Sequence, residues 1–216
     1  RYAREQKHLD ELAALLGLKE PPRIIESYDI SNWGDGTSVA GMVVFEDGKP
    51  KKAGYRRFKM NTVAGTDDYA SMAETLARRA AEYEKGAKGQ FGIKPYLLLI
   101  DGGRGQVSAV QAALAGTQLA DVPMFGMVKD DKHRTRGLVS AAGGEIMLAM
   151  HRGVFTFVTS IQDETHRWAN DYRRRMQKSR AYSSTLQSVP GVGPATSRAL
   201  MAHFKTVSAV KEASEE

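Results

Sequence analysis

The chain has 216 residues, a net charge of +6 at pH 7 and a sequence pI near 9.5. Its 42% content of apolar residues is enough for one medium-sized domain with its own core plus a small appendage. The sequence has no cysteine, which excludes disulfides, cysteine-ligated zinc and thiol nucleophiles, and favours a cytoplasmic setting. No apolar run approaches the roughly 18 residues that a membrane-spanning helix requires.

The N-terminal segment is predicted to be a helix. Residues 4–18 carry leucines at helical spacing, and the pattern stops before Pro21 and Pro22. We therefore expect residues 1–22 to form a leading helix and linker. Because the chain begins inside this helical pattern, without the apolar stretch of a signal peptide, we expect it to be a piece of a longer protein.

Three strand-like segments follow this helix. The first is an apolar run, residues 23–32, that contains Asp29, and residues 37–45 and 51–60 come next. Asp47-Gly48 between the last two segments is typical of a hairpin turn. The pattern predicts a three-stranded antiparallel meander that opens with the Asp29 strand.

Helices and strands are expected to alternate after the meander. The predicted elements are a helix from Asp67-Asp68 to Gly86, a strand ending at Asp101, a helix at 107–114, a strand at 122–128, a charged loop at 129–136 and a long helix at 154–178. Residues 145–150 are either a further strand or part of an insertion. A polar linker at 181–184 and a small helical tail complete the chain.

Two aspartates at the ends of buried strands form the most informative pattern. The element order βββαβαβ is that of the ribonuclease H-like fold, in which the first and fourth strands are neighbours, so Asp29 and Asp101 would lie together. Converging carboxylates can bind Mg²⁺ or Mn²⁺ and so support phosphodiester cleavage. A single aspartate at a strand end is more commonly a turn former or a helix cap.

The Asp67-Asp68 pair and His166 each have more than one possible role. Of Asp67 and Asp68, one is expected to cap the helix that begins there, which leaves the other able to reach a metal. His166 in the long helix is either a packing residue or a metal ligand or proton carrier, and it stands at the head of a basic run. The loop Gly102–Gly105 lacks the spacing of both nucleotide-binding fingerprints, so its glycines are expected to allow a tight turn that exposes Asp101.

Positive charge is concentrated between His166 and Arg180. This run is either the solvated end of a helix or a surface that complements a phosphate backbone. The candidate contacts to a DNA backbone are Arg104, Lys129, Lys132, Arg134, Arg173, Arg174 and Arg175. In the tail, Gly191 and Gly193 lie in V-P-G-V-G-P, which is typical of a helix-hairpin-helix element whose backbone N–H groups hold a DNA phosphate. The alternative is an ordinary turn between two helices.

Several longer motifs together resemble the C-terminal half of the UvrC family, the excinucleases of bacterial nucleotide excision repair, over nearly the whole chain. The motifs are E-S-Y-D-I-S-N, G-T-D-D-Y-A-S-M, L-I-D-G-G-R-G-Q, V-K-D-D-K-H-R-T-R-G-L, I-Q-D-E-T-H-R-W-A and V-P-G-V-G-P. The resemblance implies a ribonuclease H-like endonuclease domain over 23–180 and a helix-hairpin-helix region over 185–216. It also implies a Mg²⁺- or Mn²⁺-dependent incision of DNA on the 5′ side of a lesion.

The resemblance also implies roles for particular residues. Asp29, Asp68, Asp101 and His166 would be catalytic, with Asp29, Asp101 and His166 as the metal ligands. The implied partners are damaged double-stranded DNA and UvrB, whose contact segment is expected outside this chain. Asn32 stands where the family often has histidine, and one hairpin rather than two is expected in the tail.

Two other functions stay open at the level of the sequence. The first is a DNA- or protein-binding module that keeps the fold without catalysis, and only the nuclease predicts divalent-ion binding through Asp29 and Asp101. The second is a ribonuclease that acts on RNA–DNA hybrids and shares the carboxylates. The helix-hairpin-helix tail, a grip suited to duplex DNA, disfavours this second function.

Overall fold

The computed structural model describes residues 2–33 and 36–213, so residue 1 of the expected leading helix and residues 214–216 of the expected tail lie outside it. The chain divides into two compact units, Arg1–Asn170 and Asp171–Glu216. The elements of the first unit are α1 (Tyr2–Leu16), β1 (Ile24–Asn32), β2 (Ser38–Glu46), β3 (Lys49–Pro50), β4 (Arg56–Lys59), α2 (Asp68–Glu84), β5 (Leu97–Asp101), α3 (Arg104–Leu114), β6 (Met124–Lys129), β7 (Thr135–Val139), β8 (Glu145–Met147) and the first part of α4 (Arg152–Gln187).

The strands form one open mixed sheet. Their order is β3-β2-β1-β5-β6-β7-β8, and β4 also pairs with β2. Strands β1, β5 and β6 are parallel, whereas β2, β3, β4, β7 and β8 pair antiparallel with their neighbours. The predicted α/β fold with an antiparallel meander and parallel strands is confirmed, and so is the adjacency of the two aspartate-bearing strands.

The two faces of the sheet carry separate apolar clusters. Because side chains alternate along a strand, Ile25 of β1 and Leu97 and Leu99 of β5 lie on one face, where they pack with leucines of α1 and with Val158 and Ile161 of α4. On the other face, apolar residues of β1 and β5 pack with helices α2 and α3. Helix α4 therefore covers the face to which the odd-numbered residues of β1 and β5 point.

A fully buried ion pair connects α2 to the central strand. The guanidinium of Arg79 donates to both carboxylate oxygens of Glu26, and neither residue is exposed to solvent. The same guanidinium donates to backbone carbonyls of Phe91 and Ile93, in the segment that leads into β5. These bonds satisfy a charge that burial would otherwise penalise heavily.

Some element boundaries differ from the sequence expectation, both after β6 and in the third predicted strand. The predicted charged loop ends early because β7 begins at Thr135, and residues 145–147 form its partner β8. Strand β7 was not predicted, because a dense run of charged residues precedes it. The predicted strand 51–60 is also interrupted, by a short 3-10 helix at Lys52–Gly54.

Helix α4 continues through the predicted polar linker and ends at Gln187. Residues 181–184 have no glycine or proline to stop a helix, and the Thr185 hydroxyl donates to the Ala181 carbonyl one turn earlier. Polar composition alone was therefore a poor signal for a linker at this point.

The second unit contains the last part of α4 followed by α5 (Pro194–Phe204) and α6 (Val207–Glu212). A tight turn at residues 188–193 joins α4 to α5, with the Val192 N–H donating to the Val189 carbonyl. Ser197 of α5 is fully buried, which shows that the helices pack closely. Among the described residues of both units, none of the helices has the length and apolar character that a membrane crossing requires.

Candidate metal centre

Strand register places Asp29 next to Asp101. Strands β1 and β5 are parallel, and Tyr28 of β1 pairs with Ile100 of β5. The next residue along each strand is an aspartate, so both side chains leave the sheet on the same face, at the same level. This face is the one that α4 covers.

Helix α4 brings His166 to the two carboxylates. The helix face that packs on the sheet is apolar at Val158 and Ile161, and the next buried residue, Gln162, is polar. There the His166 Nδ1 atom lies 2.9 Å from Asp29 Oδ2. One ligand atom from each of Asp29, Asp101 and His166 lies within 4.8 Å of the other two.

Glycine at position 41 allows this close approach. Gly41 pairs with Asp29 across the β1–β2 ladder, and a side chain added there would meet the Ala169 Cα atom of α4 at 2.9 Å. The backbone of β2 and the helix are therefore as close as a residue without a side chain permits. This contact lies about one helical turn beyond His166.

The two ends of the His166–Asp29 pair are in different environments. The Asp29 side chain is 11% exposed and that of His166 is 60% exposed. Burial raises the pKa of Asp29, the hydrogen bond from His166 lowers it, and the negative charge of Asp101 raises it again. The pKa of His166 is raised, chiefly by its hydrogen bond to Asp29. Positive charge at this point therefore stabilises the ionised carboxylates.

Asp101 is held by two further side chains. The Lys129 ammonium lies 3.1 Å from Asp101 Oδ2, and the Gln162 amide donates to Asp101 Oδ1 at 2.9 Å. Lys129 was expected to contact DNA, and the structure places its ammonium against a candidate metal ligand. Gln162 was not singled out in the sequence, because glutamine is not a typical metal ligand and lies 61 positions from Asp101.

Asp68 lies outside the converging group. Asp67 caps α2 by accepting a hydrogen bond from the Ala70 N–H, as was expected of one member of the pair. Asp68 accepts instead from the Asn32 amide at 2.7 Å, and the Asn32 oxygen accepts from the Ser38 hydroxyl at 2.6 Å. Asn32 is three residues beyond Asp29 on β1, so the alternation of the strand turns it toward the face that α2 covers.

The remaining basic candidates have varied surroundings. Arg134 pairs with Asp130, and Arg104 donates to the Ala141 carbonyl. Lys132 is exposed in the loop between β6 and β7. In the second unit, Arg174 is exposed, Arg173 is half-buried and Arg175 pairs with Asp171.

The two tail glycines lie at the turn between α4 and α5. Gly191 has a φ of +86°, a left-handed conformation that side chains rarely adopt. Gly193 is the N-cap of α5, and Pro194 follows at the first helical position. The geometry leaves the backbone N–H groups at this helix start without a capping side chain.

The donor set fits a small divalent cation. Two carboxylates and an imidazole are oxygen and nitrogen donors, a combination that divalent cations bind. Burial and, to a smaller extent, the negative charge of Asp101 raise the pKa of Asp29, so a bound cation would stabilise its ionised form. Three protein ligands at a partly open position leave room for water and phosphate oxygens.

Most of the chain matches two known families. Residues 13–169 match the UvrC RNAse H endonuclease domain, and residues 183–216 match the SAM-like helix-hairpin-helix tandem. The UvrABC system protein C of Alkaliphilus oremlandii is 45% identical over 222 residues, which cover 96% of this chain and 35% of that protein. The protein of the same name from Acetivibrio thermocellus is 44% identical over 219 residues, covering 95% of this chain and 35% of its own length.

The chain spans about a third of the length of these curated relatives. Among solved structures, Ciona intestinalis endonuclease V in complex with a 24mer DNA containing an inosine matches 59% of this chain and 55% of its own, at 14% identity and a TM-score of 0.38. That score is too low to transfer any feature of the endonuclease. The family model covers well over half of the chain, and with relatives at 44–45% identity it shows that this chain belongs to the UvrC family.

Proposed function

We propose that this chain is a divalent-metal-dependent endodeoxyribonuclease that makes the incision 5′ to a lesion in nucleotide excision repair. The observation that carries the proposal is the convergence of Asp29, Asp101 and His166 within 4.8 Å. These residues lie in a chain of the UvrC family, inside the part that matches its endonuclease domain. The substrate would be damaged double-stranded DNA in the cytoplasm, and the partner would be UvrB.

Each residue of the site has a proposed role. Asp29 and Asp101 would hold Mg²⁺ or Mn²⁺, and His166 would either complete the ligand set as a neutral imidazole or carry a proton. When bound, the ion would polarise the scissile phosphate and lower the pKa of the attacking water. Asp68, held by Asn32 outside the converging group, would reach the ion through a water molecule.

The proposed DNA contacts are spread over both units. Exposed Lys132 and Arg174 would bind backbone phosphates, and Arg104, Lys129, Arg134, Arg173 and Arg175 would add positive charge. At the turn of the second unit, Gly191 and Gly193 would direct backbone N–H groups at a phosphate. These contacts read no base sequence, which suits an enzyme that must act wherever a lesion occurs.

The test combines metal binding with cleavage. Mn²⁺ is titrated by calorimetry into the wild-type chain, the double variant Asp29→Asn with Asp101→Asn, and a control, Asp10→Asn, at an exposed position of α1. Nicking of supercoiled plasmid is then measured in the same buffers. Thermal unfolding of each variant checks that the fold is kept.

We expect the double variant to lose both Mn²⁺ binding and nicking while Asp10→Asn keeps them. Metal binding without nicking in the wild type would call for the same assay in the full-length repair assembly, with UvrB bound to lesion DNA. If the folded double variant cut as well as its parent in that assembly, the nuclease proposal would be wrong. A chain that binds DNA but no divalent ion would support the non-catalytic module.

A further inference from the structure

Gln162 is a buried residue of α4 that lies between Asp101 and β7. It is 2% exposed, and its side-chain amide makes three hydrogen bonds. The Nε2 group donates to Asp101 Oδ1 at 2.9 Å and to the Met127 carbonyl at 3.3 Å. The Oε1 atom accepts from the Thr135 hydroxyl at 2.5 Å. Thr135 is itself 7% exposed.

These partners fix the direction of the amide. A carboxylate oxygen and a backbone carbonyl can only accept, so they require the NH₂ group of Gln162 on their side. The opposite orientation would set Oε1 against both acceptors in a buried position, which is unfavourable. The Thr135 hydroxyl supplies the donor that Oε1 needs on the other side. The amide is therefore held in one orientation.

A fixed amide in turn restrains the Asp101 carboxylate. With Oδ1 bound by Gln162, the carboxylate cannot rotate freely, and Oδ2 is the oxygen that faces Lys129. Gln162 lies four residues before His166 on the same helix face. One helix therefore supplies a candidate ligand and also holds the carboxylate of another.

We propose that Gln162, held by Thr135, is a positioning residue that orients Asp101 for divalent-cation binding. This inference rests on the proposed function, because it concerns the same metal site. Partners that orient metal-binding side chains typically change metal affinity by about 10- to 100-fold when they are removed. Neither residue touches the substrate in this proposal.

The experiment measures Mn²⁺ affinity by calorimetry in folded variants of the chain. Gln162→Leu keeps most of the side-chain volume and removes the amide, and we expect it to weaken Mn²⁺ binding by about 10- to 100-fold. Thr135→Val removes only the hydroxyl and should weaken binding in the same direction, whereas Thr135→Ser should restore it. The matched control is Thr75→Val on α2, which also loses a buried hydroxyl but packs on the other face of the sheet.

The outcomes separate this inference from the proposed function. A purely structural role would lower the unfolding temperature of Gln162→Leu and Thr135→Val but leave their Mn²⁺ affinity within about twofold of wild type, and that result would overturn the inference. If Gln162→Leu does not fold, the Thr135→Val and Thr135→Ser pair decides. Binding that persists in Asp29→Asn with Asp101→Asn would instead contradict the metal site itself.

Discussion

At the scale of single residues, Asp101 is notable because a cation of the chain already lies against it. The Lys129 ammonium is 3.1 Å from Asp101 Oδ2, and its side chain is about one third exposed. A divalent ion bound by Asp29 and Asp101 would therefore approach a site that already holds one positive charge. Because both are positively charged and both would contact Asp101, Lys129 and the ion would repel each other.

Replacing Lys129 by methionine is expected to tighten Mn²⁺ binding. The change removes the competing charge and keeps the length of the side chain, and the gain should be about threefold to tenfold because a partly exposed pair is screened by solvent. Calorimetry on Lys129→Met measures this gain, with Lys132→Met, in the loop that follows β6, as the control. Weaker binding in Lys129→Met would show instead that the lysine organises Asp101.

At the scale of elements, the site depends on how closely α4 approaches β2 and on how firmly α2 is attached to β1. Gly41 and Ala169 set the first distance, and the buried Arg79–Glu26 pair makes the second connection. Both contacts lie within a few residues of Asp29 along the sheet. Each contact can be tested by its own variant.

Gly41→Ala is expected to push α4 away from the sheet. Its new Cβ would meet the Ala169 Cα at 2.9 Å and Cβ at 3.0 Å, and backbone atoms of a packed helix yield little. We expect a loss of about 1–3 kcal/mol in unfolding free energy together with weaker Mn²⁺ binding, because His166 moves with the helix. Gly144→Ala is the control, since its nearest neighbour, Ser140 Oγ, would be 3.8 Å away. Unchanged metal affinity in a folded Gly41→Ala would contradict this account.

Arg79→Met is expected to destabilise the first unit strongly. It leaves the Glu26 carboxylate buried without its partner, which typically costs about 3–5 kcal/mol. Chemical denaturation followed by the fluorescence of Trp33 and Trp168, both in the first unit, measures the loss. Adding Glu26→Gln to Arg79→Met should recover part of it. An equally unstable double variant would mean that the carbonyl contacts of Arg79, rather than the charge pair, provide the stability.

Elements differ in how well the sequence predicts them. The adjacency of Asp29 and Asp101 followed from the element order βββαβαβ, in which the first and fourth strands are neighbours. Strand β7 was missed because its first residue, Thr135, follows a charged run, and local pattern does not encode its pairing with Lys129 of β6. The same limit concealed Gln162, whose partners come from three different segments.

At the scale of the whole molecule, the chain joins a mixed sheet to a small helical unit and has a net charge of +6. The sequence predicted both parts, but it placed a linker where α4 is continuous. Positive charge on the second unit is expected to bind duplex DNA without regard to base sequence, so the affinity should fall as salt rises.

Arg174→Gln tests this electrostatic contribution. If Arg174 neutralises one phosphate, its loss should reduce the slope of log affinity against log salt concentration by about 0.9. Fluorescence anisotropy with a labelled duplex over a salt series measures the slope, and Lys85→Gln, an exposed change at the end of α2, is the control. Equal slopes for Arg174→Gln and wild type would exclude Arg174 from the DNA contact.

The alternation of side chains along β1 has a consequence for the evolution of this chain. Asp29 faces α4 and Asn32 faces α2 because they lie an odd number of positions apart on one strand. Insertion or deletion of a single codon before Asp29 within β1 would exchange the two faces and remove the aspartate from its partners. An insertion or deletion of two codons would keep Asp29 on the face that α4 covers and would only move it along the strand relative to Asp101. Lineages of this domain should therefore tolerate length variation in its loops but not in this strand.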